Sequence, residues 1–234
     1  MRLGLNGSVA LITGATSGIG LATARTMVAE GVRVITVSRA TEGPKVGETR
    51  HIAADLFRRG EPERVIRSTE SALGRIDILV NNVGYAVISS LEELDDHDWE
   101  VMLRANVLAT IGATSAVLPG MLDRRRGSII NIASTAGRRP SVKLPAYSVT
   151  KAALLAYSQQ VALTYARDGV RCNAVISGPT LTRSWLEPGG LAEQQGGPAA
   201  FSQFFNQTKH LASPGRLSDK YVASFFKVRK HVDS

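Results

Sequence analysis

The chain is short of the residues that carry several common chemistries. Its single cysteine, Cys172, excludes an internal disulfide and any multi-cysteine metal centre, and suits a reducing compartment. The four histidines, His51, His97, His210 and His231, show no metal-ligand spacing, so they read as surface or turn residues and no metal is expected. No run approaches the roughly 20 apolar residues that span a bilayer. No basic amino-terminal region leads into an apolar signal segment. These absences predict a soluble, cytoplasmic protein with no membrane partner.

Acidic residues are the other shortage, 20 Asp and Glu against 28 Lys and Arg, for a net charge of +8. That excess permits non-specific attraction to polyanions without requiring it. The densest basic clusters are Arg124-Arg125-Arg126, Arg138-Arg139 and residues 227–231. They lack interleaved aromatics and any nucleic-acid motif, so solvated charge is expected, with no specific nucleic-acid partner.

What is present points to one fold. At 234 residues and 44% hydrophobic content the chain fits one α/β domain over 1–234, with no linker, internal repeat or low-complexity segment. The apolar run Val9-Ala10-Leu11-Ile12 leads into Thr13-Gly14-Ala15-Thr16-Ser17-Gly18-Ile19-Gly20, read as a strand, a glycine turn and a helix start. Glycine admits positive φ and close backbone approach, and free amides at a helix start suit an anion. The spacing differs from the G-x-G-x-x-G fingerprint, and a tight turn with no ligand would use the same residues.

Strand signals recur at 32–37, 51–54, 76–80, 127–133 and 170–176. Helical periodicity covers 19–30, 62–73, a stretch capped by Asp95 or Asp96 and ending near Pro119-Gly120, and 145–167. Residues 40–50, with Gly43-Pro44 and Gly47, read as a loop without a crossover helix. The alternation predicts a doubly wound, Rossmann-like parallel sheet in three layers. Ligands bind such sheets beyond the carboxyl ends of the strands. The glycine turn, Ser38-Arg39, Asp55, residues 81–84, Ser134 and residues 177–182 fall there.

Tyr147 and Lys151, four residues apart, share a helix face. An ammonium beside a phenol favours phenolate and would let tyrosine exchange a proton near neutral pH. Ser134 can hydrogen-bond a substrate oxygen within reach of that phenol. Taken alone, Tyr-x-x-x-Lys also describes a surface tyrosine packed on a lysine stem.

Together these residues resemble the short-chain dehydrogenase/reductase family, over about residues 7–182. Thr13-Gly14-xxx-Gly18-x-Gly20 is similar to its cofactor turn, and Asn81-Asn82-Val83-Gly84 to its Asn-Asn-Ala-Gly segment, with Val83 replacing alanine. Tyr147-Ser-Val-Thr-Lys151 is similar to its reactive motif, with Ser134 thirteen residues earlier. The resemblance implies an oxidoreductase that exchanges a hydride between a nicotinamide and a carbonyl or secondary alcohol. It implies that Tyr147 passes the proton, Lys151 holds the ribose and lowers the tyrosine pKa, Ser134 positions the carbonyl and Asn106 anchors a water. Asn106 reads equally as a helix-kink or backbone-pairing residue. The implied cofactor site comprises Gly14, Ser17, Gly18, Ile19, Gly20, Ser38, Arg39, Asp55, Leu56, Asn82 and Thr182, with Tyr147 and Lys151.

A carboxylate after the second strand would bind a ribose 2′-hydroxyl and repel a 2′-phosphate. Here Ser38 is followed by Arg39, a hydroxyl and a guanidinium that suit phosphate. NADP(H) is therefore expected over NAD(H), although Arg39 also reads as a solvated loop residue. Asp55 reads either as an adenine-edge contact or as the start of a turn.

The pattern breaks late in the chain. Ser177-Gly178-Pro179-Thr180-Leu181-Thr182 displaces the family's proline, while Gly178 and Thr182 still align. Residues 183–213 stand where the family keeps a variable substrate lid, and Trp185, Leu186, Phe201, Phe204 and Phe205 either line a pocket or pack that lid down. Residues 217–226 resemble the family's last helix, after which its seventh strand is missing or altered.

Arg138-Arg139 either meets an anionic substrate or carrier or forms a solvated loop. A homodimer or higher homo-oligomer through residues 95–118 and 145–167 is expected from the resemblance. The competing function is a cofactor-binding sensor or scaffold on the same fold with little or no turnover. The complete Asn106, Ser134, Tyr147 and Lys151 set favours an enzyme, and the altered tail favours the sensor.

Overall fold

The apolar run at 9–12 becomes a strand, β1 (Val9–Thr13), in which every residue is buried. β-Branched β2 (Arg33–Ser38) pairs with it in parallel, Val9 opposite Arg33 and Thr13 opposite Val37. The computed structural model describes residues 3–178, 180, 191–194 and 197. Among these, β3 (Arg50–Ala53), β4 (Ile78–Asn81), β5 (Gly127–Ser134) and β6 (Val170–Ser177) complete a parallel sheet of order β3-β2-β1-β4-β5-β6. Near-continuous apolar strands are what a sheet covered on both faces requires.

Alternate side chains separate the two faces, as the strand period of two demands. Val9, Leu11, Val37, Leu79 and Ile129 meet the helices α2 (Glu61–Leu73), α4 (Ala109–Asp123) and α5 (Pro145–Tyr165) through Val65, Ile66, Val117, Met121 and Val161. Ala10, Ile12, Val34, Val80, Ile130 and Val175 meet α1 (Gly18–Ala29) through Ala24 and Met27. The result is the expected Rossmann-like, three-layered fold. The strand order reverses between β1 and β4, and that reversal opens a crevice at the carboxyl ends.

Two expectations need correction. α4 does not stop at Pro119-Gly120 but runs through them to Asp123. Tertiary packing overrides the proline, because Met121 is completely buried and its side chain occupies the space where a Cβ at Gly127 would stand. The helical stretch Asp96–Asp123 is also long and apolar enough to cross a membrane, which the sequence reading had excluded. Its apolar positions are spent internally: 56% of that stretch's most apolar window is buried in the fold, as in a core helix.

α3 (Asp96–Leu103) begins at a capping box. Asp95 accepts from the Asp98 amide at 2.8 Å and Asp98 accepts from the Asp95 amide at 3.2 Å, which settles the start at Asp95. Between α3 and α4 the backbone takes a π turn, Arg104–Leu108, with Asn106 at its centre. The loop at 40–49 carries no crossover helix, as expected. The expectation for the seventh strand, like those for the last helix and most of the 183–213 lid, lies outside the described residues.

Gly20 is buried, and a Cβ there would meet the Gly14 carbonyl oxygen and lie 2.6 Å from Asn82 Nδ2. Gly20→Ala should therefore force the glycine turn away from β4 and cost about 1–3 kcal/mol. A urea or thermal melt equal to that of the wild type would refute this account of the turn.

Candidate active site

The β1–α1 turn shows why the glycines stand where they do. Gly14 and Gly18 have φ of 62° and 54°, in the left-handed region that favours glycine. Ser17 caps α1 without a side-chain hydrogen bond, and the first turn holds no acidic residue. That leaves the amides at the helix start available to an anion. Asn82 at the end of β4 holds the turn in place, its Nδ2 donating to the carbonyls of Thr13 at 3.1 Å and Gly14 at 2.9 Å. Thr13 Oγ1 returns the tie, accepting from the amides of Asn82 and Val83 at 2.9 and 3.0 Å. Sequence reasoning missed Thr13 in this latching role.

A cleft of about 660 Å³ lies over the carboxyl ends of the strands. Of the residues expected in the site, it brings together Gly14, Ser17, Gly18, Ile19, Ser38, Arg39, Asp55, Leu56, Asn82, Ser134, Tyr147 and Lys151. Gly20 does not line it, because its place is the packing contact beneath the turn. Thr182 lies outside the described residues; Thr180 lines the cleft and donates to the Gly178 carbonyl at 3.0 Å.

At one end, Arg39 is exposed, with its guanidinium carbon 5.9 Å from the centroid of the Phe57 ring. Phe57 also lines the cleft and was not anticipated, although an aromatic two residues beyond Asp55 was a visible signal. Ser38 Oγ accepts from the Ala40 amide at 3.1 Å, which fixes the backbone after β2. Asp55 Oδ1 accepts from the Phe57 amide at 3.2 Å, so its carboxylate does start a turn, while the residue also lines the cleft.

At the other end, α5 places Tyr147 and Lys151 one turn apart, with Nζ 5.5 Å from the tyrosine ring centroid. Lys151 is 3% exposed. Its ammonium donates to the Ile132 carbonyl at 2.9 Å and has no carboxylate partner among the described residues. Burial without a counter-ion lowers its pKa to about 8. A three-donor group with one protein acceptor, in the cleft wall, is suited to a hydroxyl-bearing ligand such as a ribose.

The expectation that Lys151 lowers the Tyr147 pKa is not met in the ligand-free protein. Burial raises the phenol above its ordinary value, and hydrogen bonding from Ser134 opposes that only in part. The cause is desolvation of the phenolate by burial. Ser134 ends β5 and its Oγ accepts from the Ala136 amide at 3.2 Å.

Asn106 is completely buried and does not line the cleft. Its Oδ1 accepts from the Tyr85 amide at 2.9 Å, and its Nδ2 donates to the Tyr85 carbonyl at 2.8 Å and to Thr150 Oγ1 at 3.2 Å. The side chain therefore pairs backbone at a helix irregularity. Gly84 fits between the two groups: a Cβ there would lie 3.0 Å from Asn106 Oδ1 and 3.4 Å from Lys151 Nζ. Gly84 and Tyr85 both line the cleft.

Known proteins share this fold. A model of the short chain dehydrogenase family matches residues 8–187. The chain belongs to the short-chain dehydrogenase family. It is 34% identical over 190 residues to D-beta-hydroxybutyrate dehydrogenase of Cupriavidus necator, covering 76% of this chain and 72% of that one. It is 31% identical to 2,3-dihydro-2,3-dihydroxybenzoate dehydrogenase of Bacillus subtilis, covering 92% and 88%. Among solved structures, L-sorbose reductase from Gluconobacter frateurii, complexed with NADPH and L-sorbose, superposes with a TM-score of 0.84 at 30% identity, covering 95% of this chain and 90% of that one. The chain is thus a short-chain dehydrogenase in fold and class, an oxidoreductase family whose members act on hydroxyl and carbonyl groups and bind nicotinamide cofactors.

Lys151 offers a direct physical test. A folded pKa near 8, below the 10.5 of the free side chain, means that burial of its charge destabilises the protein fully below about pH 8 and ceases to do so above about 10.5. Lys151→Met should therefore stabilise the ligand-free protein by up to about 3 kcal/mol at pH 7, a gain that shrinks as pH rises from 8 to 10.5. Urea melts across that range, with carbon-detected NMR titration of the lysine ε-methylene, measure both quantities. A titration near 10.5 would contradict the burial effect.

Proposed function

We propose that this short-chain dehydrogenase is NADP(H)-dependent and interconverts a carbonyl and a secondary alcohol, with Tyr147 as acid and base. The observation that carries the reading is the convergence of Ser134, Tyr147 and Lys151 on one wall of a cleft whose other end is the uncapped glycine turn. When bound, the nicotinamide supplies or accepts the hydride at the carbonyl carbon.

The protein's own groups do the rest. Ser134 orients the substrate oxygen, and Tyr147 holds the proton that this oxygen gains in reduction and loses in oxidation. A phenol held above its ordinary pKa keeps that proton at neutral pH, which favours the donor role. Lys151 holds the ribose hydroxyls and, through its charge, stabilises phenolate once a proton has left. Asn106 acts through the Tyr85 backbone it pairs and so fixes the chain beside Lys151. The uncapped amides at Gly18 and Ile19 take the pyrophosphate.

Ser38 and Arg39 hold the adenosine 2′-phosphate. Ser38 and Arg39, at the end of β2, carry no carboxylate to repel it, and the guanidinium lies over Phe57 in the cleft wall. The relatives' names range from a hydroxy acid to a sugar, so likeness leaves the substrate open. A homodimer through α3, α4 and α5 belongs to the same reading, since Leu108, Val149 and Leu163 are exposed there.

The cofactor assignment predicts a KM for NADPH at least tenfold below that for NADH. It also predicts that Arg39→Ala raises the NADPH value by about tenfold, the worth of a charge-assisted phosphate contact, with little change for NADH. A wild-type preference for NADH would sink it. Tyr147→Phe should lower kcat about a hundredfold or more while NADPH still binds, read by absorbance loss across a panel of ketones and by cofactor fluorescence. Binding with no turnover by the wild type across that panel would favour a sensor.

A further inference from the structure

We propose that the substrate carries an anionic group, a carboxylate or a phosphate, held by Arg139 and Lys143 at the catalytic end of the cleft. This rests on the reading of the cleft as a carbonyl and alcohol site. Ser134 and Tyr147 are joined by a loop that passes through Thr135–Gly137, a single 3-10 turn. Two of that loop's cations, Arg139 and Lys143, line the cleft, whereas Arg138, with the same chemistry and the adjacent position, does not.

The loop is also fixed. The Arg139 amide donates to the Thr135 carbonyl at 2.9 Å, and the Leu144 amide to the Ser141 carbonyl at 3.0 Å. Gly137 lies flat on α5, where a Cβ would come 2.7 Å from the Lys151 carbonyl carbon. The Ser141 amide donates to Ser148 Oγ on α5 at 3.0 Å, and the Ser89 amide to the Lys143 carbonyl at 3.3 Å. The two cations thus rise from a backbone tied to the helix that carries Tyr147, and little ordering of that backbone remains when a ligand arrives.

Neither cation has an ion-pair partner among the described residues. Among the described residues, the one acidic residue in the cleft wall is Asp55, beyond β3 at the opposite edge of the sheet from β6. Both residues line the cleft while remaining exposed, so they act on an anion there as solvated, unpaired cations. An arginine and a lysine lining one cleft suit an oxyanion, the first by its two-pronged donors and the second as a point charge. A neutral polyol would leave both charges unanswered.

Matched substrate pairs test this, with initial rates at saturating NADPH and, in parallel, NADH. Acetoacetate and levulinate are compared with their methyl esters, and dihydroxyacetone phosphate with dihydroxyacetone, so that one arm reports carboxylate and the other phosphate. In at least one arm kcat/KM for the anion should exceed that for its neutral partner by about tenfold or more, the worth of a charge-assisted hydrogen bond. Arg139→Ala and Lys143→Ala should each reduce that ratio by about tenfold, chiefly through KM, and Arg138→Ala should leave it unaltered. Ratios near one in both arms, or a ratio that falls as far in Arg138→Ala, overturn the proposal while turnover of neutral ketones upholds the reading beneath it. Absence of turnover with every ketone, neutral ones included, overturns that reading and the proposal with it.

Discussion

An ammonium group buried without a carboxylate is the constraint on which the site depends. Lys151 is fully desolvated by the fold, and its protein acceptor is the Ile132 carbonyl on β5. A buried cation is tolerated when its solvation is replaced, and here that replacement is incomplete. The deficit appears as the pKa lowered to about 8, and it leaves donors for a ligand. Stability is given up where binding is prepared, a trade common at functional sites.

The surrounding chain is arranged to hold that group still. Gly84 lets Asn106 and Lys151 come together, and Gly137 lets the loop after Ser134 lie on α5. Deeper in, Asn81 Nδ2 donates to Asn131 Oδ1 at 2.8 Å and Asn131 Nδ2 to Ser158 Oγ at 2.9 Å, so a buried chain of amides joins β4, β5 and α5. Such a network is costly unless every member is paired, and once paired it fixes register. The π turn has a related use. By rotating the backbone between α3 and α4 it turns Asn106 toward Tyr85, so the irregularity is matched by two hydrogen bonds.

Much of this was legible in the residues because the signals were local. Apolar runs ending in glycine or asparagine marked the strands, and Gly14, Gly18, Tyr147 and Lys151, each ambiguous alone, marked the cleft once taken together with the family resemblance. Electrostatics was less legible. The Tyr147 pKa was expected to fall from the proximity of Lys151, but the structure places both groups in a desolvated wall, and desolvation is set by the whole fold. Pro119 misled for a similar reason: its local preference was overridden by Met121, whose burial depends on β5. The same holds for Gly20, which belongs to the cofactor motif in sequence but serves packing against Asn82 in space. The stretch Asp96–Asp123 was missed as an apolar run because threonines and glycines interrupt it, although a helix averages over them.

Charge along the cleft completes the physical picture. Arg39 stands at one end, Arg139 and Lys143 at the other, and Lys151 in the wall beside Tyr147, with Asp55 as the single acidic residue among the described ones lining it. A concave surface lined predominantly by positive charge draws anions toward the crevice. An anionic cofactor and an anionic substrate would both be drawn there at the encounter stage, before any specific contact forms. In the proposed reading, orientation then falls to neutral groups, the amides of the glycine turn and the hydroxyls of Ser134 and Tyr147. The excess of basic residues, read from the sequence as solvated charge, thus includes four cations that line one cleft.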